Sequence, residues 1–219
     1  MIHRRSFVHM CGMASFFGMN ISLSDELAAK NLFEKKSHPF CTTSDSPANN
    51  ISLGKEKWNR NNFRYCIAAR DSEDLPQEVW DNEFKLAFDS WSEITPLTFK
   101  QVGIQDEFDL IIAVGSRRQE GFGQEGGILA WAQVPPTRNF DGILLSKFDL
   151  AENWILPDSK ELGIILRCVA AHEIGHLLGL RHSEDPNALM YPYINNSLKP
   201  KSDDIKKIQK LYGKPNNKK

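Results

Sequence analysis

The stretch Ala171-His172-Glu173-Ile174-Gly175-His176-Leu177-Leu178-Gly179-Leu180-Arg181-His182-Ser183 constrains this chain more than any other. On an α-helix, residues four apart lie on one face, one turn above the other. His172 and His176 therefore present two imidazoles to a single point. Glu173 is one residue on, close enough to act on a water held there without being a ligand itself. Gly179 takes φ > 0 at no steric cost, so it can end the helix and turn the chain back. That turn carries His182 to the same point. Three neutral imidazoles plus one open position make the donor set of a catalytic rather than a structural zinc site. A bare H-E-x-x-H also arises by coincidence on ordinary amphipathic helices. The extended H-E-x-x-H-x-x-G-x-x-H fixes three His, a Glu and a Gly together. Of the 6 histidines in the chain, three lie inside it. His172, His176 and His182 are the candidate metal ligands, and Glu173 the candidate general base.

The rest of the chain bounds where such a site operates. A length of 219 residues suits one ordinary domain plus an extension. A net charge of −1 gives no footing for nucleic acid. No stretch reaches the roughly 18 uninterrupted apolar residues of a membrane-spanning helix. Met1-Ile2-His3-Arg4-Arg5-Ser6-Phe7-Val8 resembles a twin-arginine export signal. An uncharged, weakly apolar run from Phe7 to Leu23 follows, and Leu27-Ala28-Ala29 offers a small-residue cleavage site. Residues 1–29 are therefore expected to direct the protein to a periplasm or out of the cell; the alternative is a cytoplasmic chain with an unstructured N-terminus. Residues 30–54, rich in Ser, Thr, Asn, Pro and Lys, are expected to form a linker or short pro-segment.

From Trp58 the pattern becomes regular. Phe63, Tyr65 and Ile67 alternate on a strand. Pro76 opens a helix with Trp80, Phe84, Ala87, Phe88 and Trp91 at helical spacing, an aromatic stripe read as core. Leu97–Val102, Phe108–Val114, Gly127–Ala132 and Asp141–Phe148 are further strands, with a Gly-rich loop over 115–127. A second helix is expected from an N-cap at Asp158 to Leu178, and a third over Asp203–Tyr212. The reading is an α+β domain with a mixed sheet of about five strands and three helices.

The chain also resembles the matrixins, the matrix-metalloproteinase branch of the metzincin zinc peptidases. The matching residues are Glu56-Lys57-Trp58, Asp74-Leu75-Pro76, Trp91 with Ile94-Thr95-Pro96-Leu97-Thr98-Phe99, Asp109-Leu110-Ile111-Ile112 and Gly126-Gly127-Ile128-Leu129-Ala130. Phe148-Asp149 with Glu152 and Trp154, Val169-Ala170-Ala171 before the motif, Ser183 after it, and Ala188-Leu189-Met190-Tyr191-Pro192 continue the match. Asp203-Asp204-Ile205 through Leu211-Tyr212-Gly213 complete it, giving a catalytic domain over 55–213 and a tail over 214–219. The resemblance implies a metzincin fold, one catalytic Zn2+, and Met190 in the Met-turn beneath the metal. It also implies an edge strand containing Leu129 and Ala130 along which an extended substrate pairs. Pro192 and Tyr193 would wall the S1′ pocket, and Cys168, one turn before His172, would line its floor or pack as a buried apolar residue.

Several positions depart from the family. Trp131 and Lys147 stand where histidines of a second, structural zinc are expected, so a His-rich second site cannot be built. Asp149 and Glu152 match calcium ligands, but Gly123 replaces the loop Asp, and two carboxylates fall short of the roughly six oxygens that Ca2+ requires. Cys41 lies 17 residues before Trp58, as the zinc-blocking cysteine of matrixin zymogens does, yet in Pro39-Phe40-Cys41-Thr42 the family's Arg and Gly are missing. It is read as a rudimentary cysteine switch or, alternatively, as half of a Cys41–Cys66 disulfide. The expected reaction is hydrolysis of internal peptide bonds by a metal-activated water, with a protein or peptide substrate and a monomeric enzyme. A zinc-binding pseudopeptidase and a small-molecule metallohydrolase are the competing classes.

Overall fold

Alternation over Asn62–Ala68 produces β3, which buries Phe63 and Tyr65 and leaves Asn62 at the surface. In this computed structural model the described residues are 40–43, 56–68, 75–115, 122, 127–136 and 138–215. The export-type segment 1–29, most of 30–54, the Gly-rich stretch 116–126 apart from Phe122, and the end of the tail lie outside them. Strand β3 pairs in parallel with β4 (Thr98–Gln101) on one side and β5 (Leu110–Gly115) on the other. Parallel neighbours need a crossover. Between β3 and β4 it includes α1 (Gln77–Ser92), opened by Pro76 at φ −67°. Helix α1 buries Trp80, Phe84, Ala87, Phe88 and Trp91, the stripe expected from the sequence.

Strand β8 (Leu144–Asp149) pairs in parallel with β5, and β6 (Ile128–Ala132) lies antiparallel to β8 with Trp131 opposite Lys147. These are the five strands expected. Phe148, Trp154, Trp80 and Phe84 meet edge-on or tilted, with Trp80 stacked on Phe84, at centroid separations of 5.1 to 6.1 Å, forming the aromatic centre of the core. Lys57–Trp58 (β2) pairs with Arg138–Phe140 (β7) away from the main sheet. Two further helices, α2 (Leu166–Leu177) and α3 (Ser202–Tyr212), follow the sheet.

Three expectations need correction. Residues 30–54, expected to be a linker or short pro-segment, are not unstructured linker throughout: Phe40–Thr43 forms β1 and pairs in parallel with β6, giving the order β1-β6-β8-β5-β3-β4. The strand along which substrate was expected to pair is therefore covered by the chain itself. That order also separates Cys41 from Cys66 on β3 by four strand spacings, about 19 Å. Disulfide Cα atoms lie within about 7 Å of each other, and both thiols are free. Finally, α2 starts at Leu166 and not near Asp158. The β-branched pair Ile164–Ile165 forms β10, parallel to β9 (Trp154–Ile155). Gly163 permits this close approach, since a Cβ there would lie 2.7 Å from both the Asn153 carbonyl and Ile155 Cγ2.

Candidate active site

Helix α2 is buried along nearly all its length and is held by side chains from three other elements. Trp91 Nε1 on α1 donates to the Ala171 carbonyl at 3.0 Å, and Trp58 Nε1 on β2 donates to Leu177 O at 2.7 Å. The Tyr212 hydroxyl on α3 donates to Leu178 O at 2.8 Å. The last two bonds satisfy carbonyls that a helix C-terminus leaves free. The helix ends as Gly179 turns at φ +100°. A Cβ at that position would also lie 2.6 Å from the Glu56 carbonyl, so glycine is required for space as well as for conformation.

The turn brings Leu180 O to within 2.8 Å of His176 Nδ1, while Leu189 O lies 2.7 Å from His172 Nδ1. A carbonyl only accepts, so each Nδ1 carries the proton and each Nε2 presents a lone pair. The Nε2 atoms of His172 and His176 are 3.1 Å apart, and those of His176 and His182 are 3.2 Å apart. Nε2 atoms around a tetrahedral zinc at 2.0–2.1 Å would be separated by about 3.3 Å. Converging lone pairs at this spacing repel one another and fit a cation of that size. Burial keeps the rings neutral. It lowers the pKa of His172 to about 3 and of His182 to about 4, and holds His176 well below its usual value, helped by the neighbouring imidazoles. The donor chemistry and spacing both fit zinc.

Glu173 is fully buried, and neither carboxylate oxygen has a hydrogen-bond partner of good geometry among the described residues. Burial raises its pKa to about 8, with the facing Cys41 thiol acting in the opposite direction. Cys41, His172 and Glu173 bring their donor atoms within 4.8 Å of one another. Burial, followed by the adjacent Glu173, pushes the Cys41 thiol well above its usual pKa. On one flank Cys41 aligns with Ala130 of β6, and on the other its N–H donates to Pro192 O at 3.1 Å.

The remaining candidates fall around this centre. Met190 is buried against α2, and a Cβ on Gly175 would lie 2.3 Å from its sulfur. Leu129 and Ala130 are buried on β6, and the Tyr193 ring packs on Tyr191 at 5.7 Å. Cys168 is buried on α2 with the backbone N–H groups of Asn196 and Ser197 facing its sulfur; burial pushes its pKa up to about 12. Asp149 and Glu152 are buried, but among the described residues they join no group of three His, Cys, Asp or Glu donors. Lys147 Nζ lies 5.9 Å from the Trp131 ring centroid, a cation–π pair where the family resemblance would have placed imidazoles.

Sequence reasoning missed the carbonyls of Leu180 and Leu189, which set the tautomers, because backbone acceptors leave no compositional trace. It also placed Asp204 only within the third helix and the family match, with no role assigned. Its carboxylate is fully buried and accepts from the backbone N–H groups of Leu189, Met190 and Lys201 at 2.7, 3.1 and 2.8 Å.

Known proteins resemble this chain in sequence. The profile of the Matrixin peptidase family matches residues 57–213. Stromelysin-1 of Equus caballus is 37% identical over 171 residues, covering 74% of this chain and 34% of its own length. Matrix metalloproteinase-26 of Homo sapiens is 36% identical over 182 residues, covering 80% of this chain and 67% of its own. Matrix metalloproteinase-16 of Rattus norvegicus is 33% identical over 233 residues, covering 94% and 36%. The chain thus spans about a third of the length of stromelysin-1 and matrix metalloproteinase-16. The match across most of the domain and the convergence of three imidazoles beside a buried glutamate lead to one assignment: this chain belongs to the matrixin family of zinc metallopeptidases.

Proposed function

We propose that the chain is an endopeptidase that cleaves internal bonds of extended peptides, with His172, His176 and His182 holding one zinc ion and Glu173 acting as general base. The observation that carries this reading is the convergence of three Nε2 atoms, those of His172 and His176 fixed by Nδ1 hydrogen bonds, next to a buried carboxylate with no partner of good geometry among the described residues. When bound, zinc supplies a Lewis acid that polarises the scissile carbonyl, acidifies a water and favours the ionised form of the neighbouring carboxylate. Glu173 takes the proton of the attacking water and returns it to the leaving amine. Burial keeps the carboxylate oxygens free for that exchange. The backbone of Leu129 and Ala130 on β6 and the Pro192 carbonyl hold the substrate as an added strand, in the channel where β1 lies. Pro192, Tyr193 and Cys168 shape the pocket beyond the scissile bond, and Met190 supports the ligands from beneath.

Hydrolysis of a quenched peptide, with and without chelator, tests the reading together with metal content by mass spectrometry. One zinc per chain, chelator-sensitive cleavage, and a loss of about 10²–10⁴-fold in Glu173→Ala with zinc retained are expected. Near-parental activity of that variant would remove Glu173 from its role. Cleavage restricted to small esters or amides would favour the metallohydrolase class, and zinc binding without any turnover the pseudopeptidase.

A second reading concerns Cys41. Its place beside His172 and Glu173 on a strand that fills the substrate channel supports a latent form, with the thiolate as a further zinc ligand until β1 leaves. Export through residues 1–29 would place the mature enzyme outside the cytoplasm, and a reporter fused to that segment tests it. Asp149 and Glu152 are offered as calcium ligands only together with oxygens from the adjacent loop. Zinc and calcium content measured on one sample separates the two ions.

A further inference from the structure

The sheet presents two different surfaces to whatever lies in the channel beside β6. Cys41 of β1, Ala130 of β6 and Phe148 of β8 are in register, and all three are buried on the face that packs against the helices. Successive residues of a strand face opposite ways. Trp131 and Lys147, the next pair in that register, therefore point to the other face. There Trp131 is partly exposed, and Lys147 Nζ lies 5.9 Å from its ring centroid. The backbone beside Trp131 in the channel is that of Thr42. We propose that Trp131, with Lys147 over its ring, is a specificity-determining residue. It selects peptides with an aromatic or β-branched side chain at the position that takes the place of Thr42, and disfavours Lys or Arg there. This inference rests on the reading of β6 as the strand along which an extended peptide pairs.

Residues paired across neighbouring strands hold their Cβ atoms about 4.5–5.5 Å apart on one face. Any peptide paired with β6 thus presents one side chain to the Trp131 indole. That residue adjoins the one in register with Ala130, the place taken here by Cys41, whose thiol faces His172 and Glu173. The contact therefore falls beside the bond presented to the metal centre, and acts on binding rather than on the chemistry. Aromatic pairs and aromatic–β-branched pairs across strands are favoured over alanine by about 2–5-fold. Lys147 supplies the exclusion. Its ammonium is held at the ring, so a substrate Lys or Arg would meet a like charge. The platform is also fixed before a peptide arrives. Strand β6 is paired with β8 along its other edge, and the Ser146 hydroxyl donates to Trp131 O at 3.2 Å.

The test uses the zinc-loaded full chain after any lag has ended, with quenched peptides varied at one position at a time around the cleaved bond. Values of kcat/KM are compared as ratios within one preparation, so that a smaller folded fraction cancels. The parent should show one position near the cleaved bond at which Phe, Trp, Val or Ile exceeds Ala by about 2–5-fold, through KM, and Lys and Arg fall below Ala. Trp131→Ala should bring the Phe-to-Ala ratio at that position to about 1, with the ratios at other positions as in the parent. Lys147→Met should raise Lys and Arg to the level of Ala while keeping the preference for Phe. Glu83→Gln weakens the Glu83–Arg167 pair between α1 and α2, controls for lost stability, and should keep the parent's profile. If Trp131→Ala does not fold, Trp131→Thr, whose branched side chain suits a strand, carries the same expectation. A Trp131→Ala profile equal to the parent's, with only a lower unfolding midpoint, would make the pair a structural clip and overturn the inference. A parent that cleaves no peptide overturns the endopeptidase reading itself. A parent that cleaves, with no such position, overturns only this inference.

Discussion

Gly175, between Glu173 and His176, has no room for even one methyl group. A Cβ there would lie 2.3 Å from Met190 Sδ and 3.0 Å from both Met190 Cε and Trp91 Cζ2. Methionine is normally adaptable, but this one is fully buried and its N–H is tied to Asp204. Gly175→Ala should therefore destabilise the domain by about 1–3 kcal/mol through overpacking, read as a lower urea midpoint at unchanged m-value. Gly175→Ala combined with Met190→Ala should cost less than the sum of the two, because the second change removes the atom that clashes. Strict additivity would mean that Gly175 and Met190 do not share this contact. At this scale the sequence was most informative where chemistry is carried by side-chain type. Three histidines, a glutamate and a glycine sufficed to place His172, Glu173, His176, Gly179 and His182. It said least about what fixes them, because the fixing groups are mostly backbone carbonyls and indole or phenol donors from residues far along the chain.

Among the elements, β1 was the least legible. Phe40–Thr43 has no apolar alternation, and its partner β6 lies more than eighty residues away, so the pairing comes wholly from tertiary context. The start of α2 failed for a related reason. Leu162, Ile164 and Ile165 extend an apolar periodicity toward Asp158, but the Asn153 side chain binds the Leu162 carbonyl and Ile164 is drawn into pairing with β9. The long strands and α1 were legible because their burial follows their own periodicity. The position of β1 leads to a kinetic prediction. With β1 between β6 and Pro192, the full chain should hydrolyse a quenched peptide with a lag that ends as the N-terminal segment is cleaved. Cys41→Ser keeps the backbone bond to Pro192 but weakens any bond to the metal, and should shorten that lag several-fold. An identical lag in parent and variant would remove Cys41 from latency while leaving β1 as a purely steric block.

For the whole molecule, the site makes stability depend on pH in a direction that the metal-stripped protein reveals. Each of the three histidines has its folded pKa below the usual imidazole value of 6.5, His172 at about 3, His182 at about 4 and His176 well below. Below pH 6.5 the unfolded chain takes up protons that the folded chain refuses, so these groups withdraw stability as pH falls. Glu173 has the opposite sign. Its folded pKa, about 8, lies above the usual carboxylate value of 4.5, so stability from this group is lost as pH rises toward 8. Between pH 6.5 and 4.5 the three histidines outweigh the one glutamate, and the unfolded chain binds about two more protons than the folded chain. Between 6.5 and 8 the unfolded histidines lose their protons and Glu173 comes to prevail, with a slope of at most about half a proton in the other direction. The stripped protein should therefore be most stable a little below about pH 7, with the acid limb several times as steep as the alkaline one. Urea midpoints across that range measure both slopes. Added zinc, binding only the folded ligand set, should raise the midpoints by an amount that grows with its concentration over the dissociation constant. That gain should shrink as pH falls and protons compete for the imidazoles. A stripped protein whose stability is flat from pH 6.5 to 4.5 would show that the imidazoles are not buried together before the metal arrives.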